Sequence, residues 1–129
     1  MAALRVLFIG GTGVISSASV ELAARQGLDL TLLTRGTGRR PVPDGVEQLV
    51  ADIRDPAAVR AALGTREFDA VVDWVAFTPD HVGADVELFE GRTGQYVFIS
   101  SASAYQTPPA RLPILESTPL RNPYWQYSR

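Results

Sequence analysis

Cysteine is absent from the 129 residues, so disulfides, thiolate metal sites and cysteine nucleophiles are excluded. Lysine is absent too: all 12 basic side chains are arginine, which removes every lysine-based mechanism from the chain. His81 is the single histidine, and a multi-histidine metal site is excluded with it. No sign of charge dominates. The formal net charge is -2 and the isoelectric point about 5.3, which leaves no electrostatic footprint for nucleic acid or for an anionic membrane surface. Nor is there an apolar run of the ~18 residues that a membrane span needs. The opening stretch MAALRVLFIGGTGVISSASV has a basic residue, an apolar run and small residues in the order of a secretory signal. Gly10, Gly11 and Gly13 break the run that such a signal keeps continuous. A cytoplasmic location is the expectation.

What is present is ordinary globular material, 46% hydrophobic and 20% charged, in a length that fits one domain. Residues 4–9 (LRVLFI), 28–34 (LDLTLLT), 46–50 (VEQLV), 69–76 (DAVVDWVA) and 95–100 (QYVFIS) read as strands from their β-branched and apolar content. Residues 14–26 read as a helix, with Val14, Ile15, Ala18, Leu22 and Ala23 on one face and Gly27 as its stop. Asp55-Pro56 opens a helix that runs through Leu63 and closes at Gly64. Thr78-Pro79 opens another, in which Val82, Val86 and Phe89 share a face. Residues 106–123 are proline-rich and aperiodic, and read as an ordered loop. Strands alternating with helices predict an α/β fold: a doubly wound parallel sheet of order 3-2-1-4-5, helices on both faces, and a ligand crevice above strands 1 and 4.

The segment FIGGTGVIS joins the first strand to the first helix. It reads as Gly11-x-Gly13-x-x-Ser16 or as Gly10-x-x-Gly13-x-x-Ser16. One glycine makes the tight turn and one lets the backbone approach a pyrophosphate. The last position must be small so that helix and strand pack closely, and Ser16 stands there. The helix N-terminus then offers free N–H groups and a positive dipole end to the phosphates. Gly10, Gly11, Thr12, Gly13, Val14 and Ile15 are therefore candidate cofactor-binding residues. At the end of the second strand, where an NAD site carries an acid for the ribose 2′-hydroxyl, this chain has Thr34 followed by Arg35. Loss of the carboxylate removes repulsion of a 2′-phosphate, and Arg35 is suited to grip that phosphate bidentately. NADP(H) is expected in preference to NAD(H). Arg39 and Arg40 are lesser candidates, better suited to a solvated loop. Asp52, after the third strand, is placed to accept from an adenine amino group with Ile53 beside the ring, or else is a plain loop residue; Asp55 is read as a cap. Val75, Ala76 and Phe77 at the exit of the fourth strand, and Ser100 at the exit of the fifth, complete the expected cofactor-binding set.

Four stretches, GGTGVIS, ADIRD, FISSASAY and NPYWQYSR, occur in one order and spacing. In these the chain resembles the extended short-chain dehydrogenases/reductases, the NAD-dependent epimerase/dehydratase family. The resemblance spans nearly the whole chain. It implies a Rossmann fold over 1–129 and a Ser or Thr after strand five paired with a Tyr-x-x-x-Lys on the next helix. Ser101 matches by its place four residues before Tyr105, and Tyr127 by its distance from Ser101. Tyr124 is the runner-up, but position 128 is serine rather than lysine. For Tyr127 the lysine falls at 131, beyond Arg129, so the resemblance implies the cofactor-binding part of a longer enzyme without its C-terminal substrate region. Tyr127 is expected to act as general acid/base on a substrate hydroxyl or carbonyl, with Ser101 orienting that oxygen. A nucleotide-sugar is the family's commonest substrate class.

A free tyrosine titrates near ~10 and a useful base near ~7, a gap of about 4 kcal/mol that a neighbouring cation normally narrows. Without lysine, these residues are expected to bind cofactor and turn over negligibly. The alternative is a non-catalytic NAD(P)-binding redox sensor or regulatory module, against which the Ser101/Tyr127 pair speaks. An RNA-associated protein on the same scaffold is disfavoured by the acidic isoelectric point. The expected partner is a small-molecule substrate, with no nucleic acid, membrane or metal. Sheet edge and helix faces left uncovered predict association, as a homo-oligomer or with the rest of a longer chain.

Overall fold

The structure is a computed structural model that describes residues 2–124. Its elements are β1 (Arg5–Ile9), α1 (Val14–Arg25), β2 (Asp29–Thr34), β3 (Glu47–Val50), α2 (Pro56–Leu63), β4 (Phe68–Asp73), α3 (Pro79–Phe89) and β5 (Thr93–Phe98). The strands form one parallel sheet in the order β3-β2-β1-β4-β5, the order expected from the alternation of patterns. Among the described residues no helix is long and apolar enough to cross a membrane.

β1 and β2 are buried on both faces and read as near-continuous apolar runs, as central parallel strands do. Successive side chains of β1 go to opposite faces. Leu7 and Ile9 join Leu33, Val59, Leu63, Val71, Leu88 and Phe89 under α2 and α3. Val6 and Phe8 join Val20, Ala23, Leu30 and Leu32 under α1. The register is level at the carboxyl edge, where Ile9 pairs with Leu33 on one side and with Asp73 on the other. The loops leaving β1, β2 and β4 therefore emerge side by side.

The helix boundaries follow their sequence signals. Asp55 caps α2 by accepting from Ala58 N–H, and Thr78 caps α3 by accepting from His81 N–H. Two helix faces differ from expectation. α1 buries Ser16, Val20 and Ala23, while Val14, Ile15 and Leu22 are 75%, 72% and 52% exposed. The residue counted by volume as the small packing position, Ser16, sets the helix phase, and the larger aliphatics on the next stripe face outward. α3 buries Asp85, Leu88 and Phe89, whereas Val86 is exposed; an ion pair makes a carboxylate tolerable where an apolar residue was expected. β4 and β5 end at Asp73 and Phe98 rather than at 76 and 100. Trp74 N–H still donates to the Ile9 carbonyl, and Ile99 N–H to that of Asp73, before the chain turns away.

Residues Met1–Ile99 form one compact unit and Ser100–Arg129 a second. Described by itself, the second unit has over residues 100–124 one short 3-10 turn, Ala102–Ala104, and otherwise the ordered loop that its prolines predict. It is held by Gln106 N–H to the Pro119 carbonyl, Thr107 N–H to that of Arg121, and Asn122 Nδ2 to that of Ser103 at 2.7 Å. Asn122 Oδ1 accepts from Tyr124 N–H at 2.9 Å, a local side-chain-to-backbone bond two residues on. The helix expected beyond it, with Tyr127, lies outside the described residues.

Candidate functional site

A cleft of about 660 Å³ opens at the carboxyl ends of β1, β2 and β4. That is the size range of small-molecule and cofactor sites, and the place where open α/β sheets bind ligands. One wall is the turn Gly10–Gly13 with Ser16. A second is Thr34, Arg35, Thr37 and Gly38, and a third is Ala51–Arg54. Trp74, Val75, Phe77 and His81 close the fourth side.

The glycine turn is dictated by both conformation and space. Gly10 and Gly11 have φ of +99° and +125°, which side chains disfavour. A Cβ on Gly11 would lie 2.9 Å from Leu32 and 3.3 Å from Val20, so this glycine is what lets α1 approach β2. Ser16 is more than a small filler. Its buried hydroxyl accepts from Gly13 N–H at 3.0 Å, an internal bond at the mouth of the helix that spacing alone does not reveal. The remaining first-turn amides of α1 have no acceptor within the helix. Arg40, expected to be solvated, donates to the Thr12 carbonyl at 3.2 Å, and Gly38 lies directly against Thr12. The loop after β2 thus folds over the glycine turn.

Thr34 is buried, and its hydroxyl is engaged locally: it accepts from Gln48 Nε2 at 2.6 Å and from Gly36 N–H at 3.1 Å. Arg35 lines the cleft, exposed, with no ion pair or side-chain hydrogen bond among the described residues. Asp52 lines the cleft, and its Oδ1 accepts from Arg54 N–H at 2.9 Å. Gly10 through Gly13, Thr34, Arg35, Asp52, Ile53, Val75 and Phe77 are therefore brought to one cleft. Val14, Ile15 and Ala76 are not part of its wall. The first two side chains point to solvent because of the phase of α1, and Ala76 is buried. Ser100 and Ser101 belong to the second unit and are exposed. There Ser101 Oγ accepts from Ser103 N–H at 3.1 Å and lies 2.6 Å from Ser103 Oγ.

A buried polar network beneath the cleft was not anticipated. Arg54 Nη2 meets Asp85 Oδ2 at 2.7 Å. Burial, followed by the neighbouring Asp73 carboxyl, pushes the Asp85 carboxyl up to about 7, against the opposing pull of Arg54. Asp73 Oδ2 accepts from the Tyr96 hydroxyl at 2.5 Å, and Asp73 Oδ1 accepts from Val75 N–H at 3.1 Å. Burial and the Asp73 carboxyl hold the Tyr96 phenol protonated far above its ordinary range. His81 Nδ1 accepts from Phe77 N–H at 3.2 Å, which assigns the proton of the neutral ring to Nε2. The Trp74 indole, tilted at 60° against Phe8 with centroids 5.5 Å apart, keeps its buried N–H without a partner among the described residues.

A parallel sheet of this order, with a glycine turn under a cleft at its carboxyl edge, defines an α/β domain of the Rossmann type. Residues 6–90 match the model of the NAD dependent epimerase/dehydratase family, and the chain belongs to that family. It is 31% identical to a UDP-glucose 4-epimerase of Lactobacillus helveticus, over 94% of this chain and 43% of that protein. The chain thus spans less than half the length of this curated relative. Among solved structures, a UDP-glucose 4-epimerase superposes with a TM-score of 0.78 at 20% identity, covering 92% of this chain and 41% of that one. The Bordetella bronchiseptica enzyme WbmH, in complex with NAD+, gives 0.75 at 22% identity, covering 98% and 49%. At such identities the likeness is one of fold.

Proposed function

We propose that the chain is the NAD(P)-binding portion of an epimerase, dehydratase or reductase that acts on a hydroxyl or carbonyl of a nucleotide-sugar. The observation that carries this reading is the glycine turn, close-packed and in backbone that only glycine adopts freely, at the head of a cleft on the carboxyl edge of the sheet. The nucleotide-sugar class rests on the likeness to UDP-glucose 4-epimerase. The cleft fits a dinucleotide: small residues where phosphates must approach, a carboxylate at Asp52 for an adenine amine, and apolar Ile53 and Val75 beside it. A nicotinamide ring held in the cleft would supply hydride-transfer chemistry. The roles proposed for the parent enzyme are to hold the diphosphate on the α1 amides, to orient the reacting oxygen with Ser101, and to move its proton at the Tyr127 hydroxyl; without a lysine these 129 residues alone are expected to turn over negligibly. Calorimetric titration of the protein with NADH and NADPH tests the reading. Micromolar to submillimolar binding of either is expected, and absence of both at millimolar concentration overturns it.

The preferred dinucleotide is NADPH. Thr34 stands in place of the acid, with its hydroxyl turned to Gln48 and Gly36, and Arg35 is uncommitted at the same wall. WbmH was solved with NAD+, so the preference rests on these two residues alone. A dissociation constant about tenfold lower for NADPH than for NADH is expected. The reverse order overturns the preference and leaves the dinucleotide reading standing.

A further inference from the structure

Two walls of the cleft are tied together from below by carboxylates. Arg54 follows Asp52 and Ile53 in the loop between β3 and α2 and lines the cleft. Its Nη2 donates to Asp85 on α3, and the two side chains are 31% and 1% exposed. The guanidinium therefore has one nitrogen on a buried anchor, in a side chain that is partly exposed and belongs to the cleft wall. Asp85 is its single side-chain partner among the described residues, while a guanidinium carries five N–H donors and two planar faces. Behind Asp85 lies Asp73, which receives the Tyr96 hydroxyl from β5 and the N–H of Val75, itself a cleft residue. The carboxylate pair thus fixes Arg54 through α3 and Val75 through β4.

Stability alone does not account for this arrangement. A well-packed apolar contact would tie α3 to the β3–α2 loop without burying the Asp85 carboxylate. What the ionic version adds is a planar cation set immobile at the cleft. Its immediate neighbours are an acceptor, Asp52, and an aliphatic side chain, Ile53. An amine acceptor, an apolar contact and a flat cation that stacks on aromatic rings are the chemistry of a purine seat.

We propose that Arg54 is a ligand-binding residue covering the adenosine half of the bound dinucleotide, and that Asp85 is the positioning residue that holds its guanidinium there. The inference rests on the dinucleotide reading above and adds two residues to it. The test follows NADPH binding by nicotinamide fluorescence, with AMP and inorganic pyrophosphate as competitors. In the wild type both displace NADPH. In Arg54→Met, which keeps the aliphatic stem, AMP and NADPH weaken about tenfold and pyrophosphate stays within twofold. Asp85→Asn weakens AMP severalfold, and added to Arg54→Met it causes no further loss, because it acts only through the guanidinium. A general loosening of the fold would weaken both competitors and give additive losses, which overturns the assignment. Unchanged AMP affinity in Arg54→Met, failure of AMP to compete in the wild type, or loss of pyrophosphate competition alone overturns it as well. If the wild type binds no pyridine dinucleotide, the dinucleotide reading fails first and is identified as the part that failed.

Discussion

Gly11 meets two demands that only glycine satisfies together. Its φ of +125° is unfavourable to any side chain, and a Cβ there would sit 2.9 Å from Leu32. Gly27, at the C-terminal end of α1, meets only the first, with φ of +78° and nothing within 4 Å. The comparison separates conformational strain from overpacking. Gly27→Ala is expected to cost about 1 kcal/mol, the strain of a side chain in left-handed backbone. Gly11→Ala adds the displacement of Leu32 and Val20, about 1–3 kcal/mol more, and pushes α1 off β2 where the cleft begins. Urea denaturation measures both. Equal losses would show that the α1–β2 approach has slack that the contact distances deny. That glycines were needed in this turn was legible in the sequence. That Ser16 would bond to Gly13 N–H was not, because spacing identifies a small residue without saying where its hydroxyl points.

Helix α3 shows how an element can be placed correctly and its face misread. Thr78-Pro79 marks its start, and the structure begins there. Its inward stripe includes Asp85 because Arg54, 31 positions earlier, arrives to pair with it. Periodicity within one helix carries no information about a partner on another loop. The α1 face was misread for a related reason: Val14, Ile15 and Leu22 outweigh Ser16 in hydrophobicity, yet closeness to β2 selects the smaller residues. The buried acid has a consequence for pH. Asp85 titrates at about 7 in the folded chain against 3.8 ordinarily. Between those values the native state holds a proton that the unfolded chain has released, so stability falls as pH rises through that range. The groups facing it are Arg54 from the β3–α2 loop, Asp73 from β4 and Tyr96 from β5. Asp85→Asn removes the titration. Relative to wild type, the variant should gain stability steadily between pH 4 and pH 7 and no further above. Denaturant midpoints at pH 4.5, 6 and 8 read this difference, and a constant offset across the series would refute it.

At the scale of the whole molecule the topology was the most legible feature. Five short apolar runs with helices in three of their four connections point to a parallel sheet, and right-handed crossovers fix its order. The location of the cleft follows from that order, since β1 and β4 leave the sheet level with one another at its carboxyl edge. On the proposed dinucleotide reading, what the cleft selects depends on single residues, and Arg35 is the one expected to decide between the two dinucleotides. A ligand that binds only the folded state at one hundred times its dissociation constant adds about 2.7 kcal/mol to stability. In a chain of this size that raises the thermal midpoint by roughly 10 °C. NADPH and NADH, each at such saturation for its own affinity, should both do so, whereas at equal concentration NADPH should shift the midpoint further. Arg35→Ala leaves a 2′-hydroxyl unaffected and strips a 2′-phosphate of its charged partner. The NADPH shift should then fall to the level of NADH, with the NADH shift and the unliganded midpoint unchanged. Should the variant lose both shifts equally, Arg35 supports the cleft wall rather than the phosphate. Should it lose neither, the threonine at the end of β2 marks an open ribose pocket with no anion site beside it.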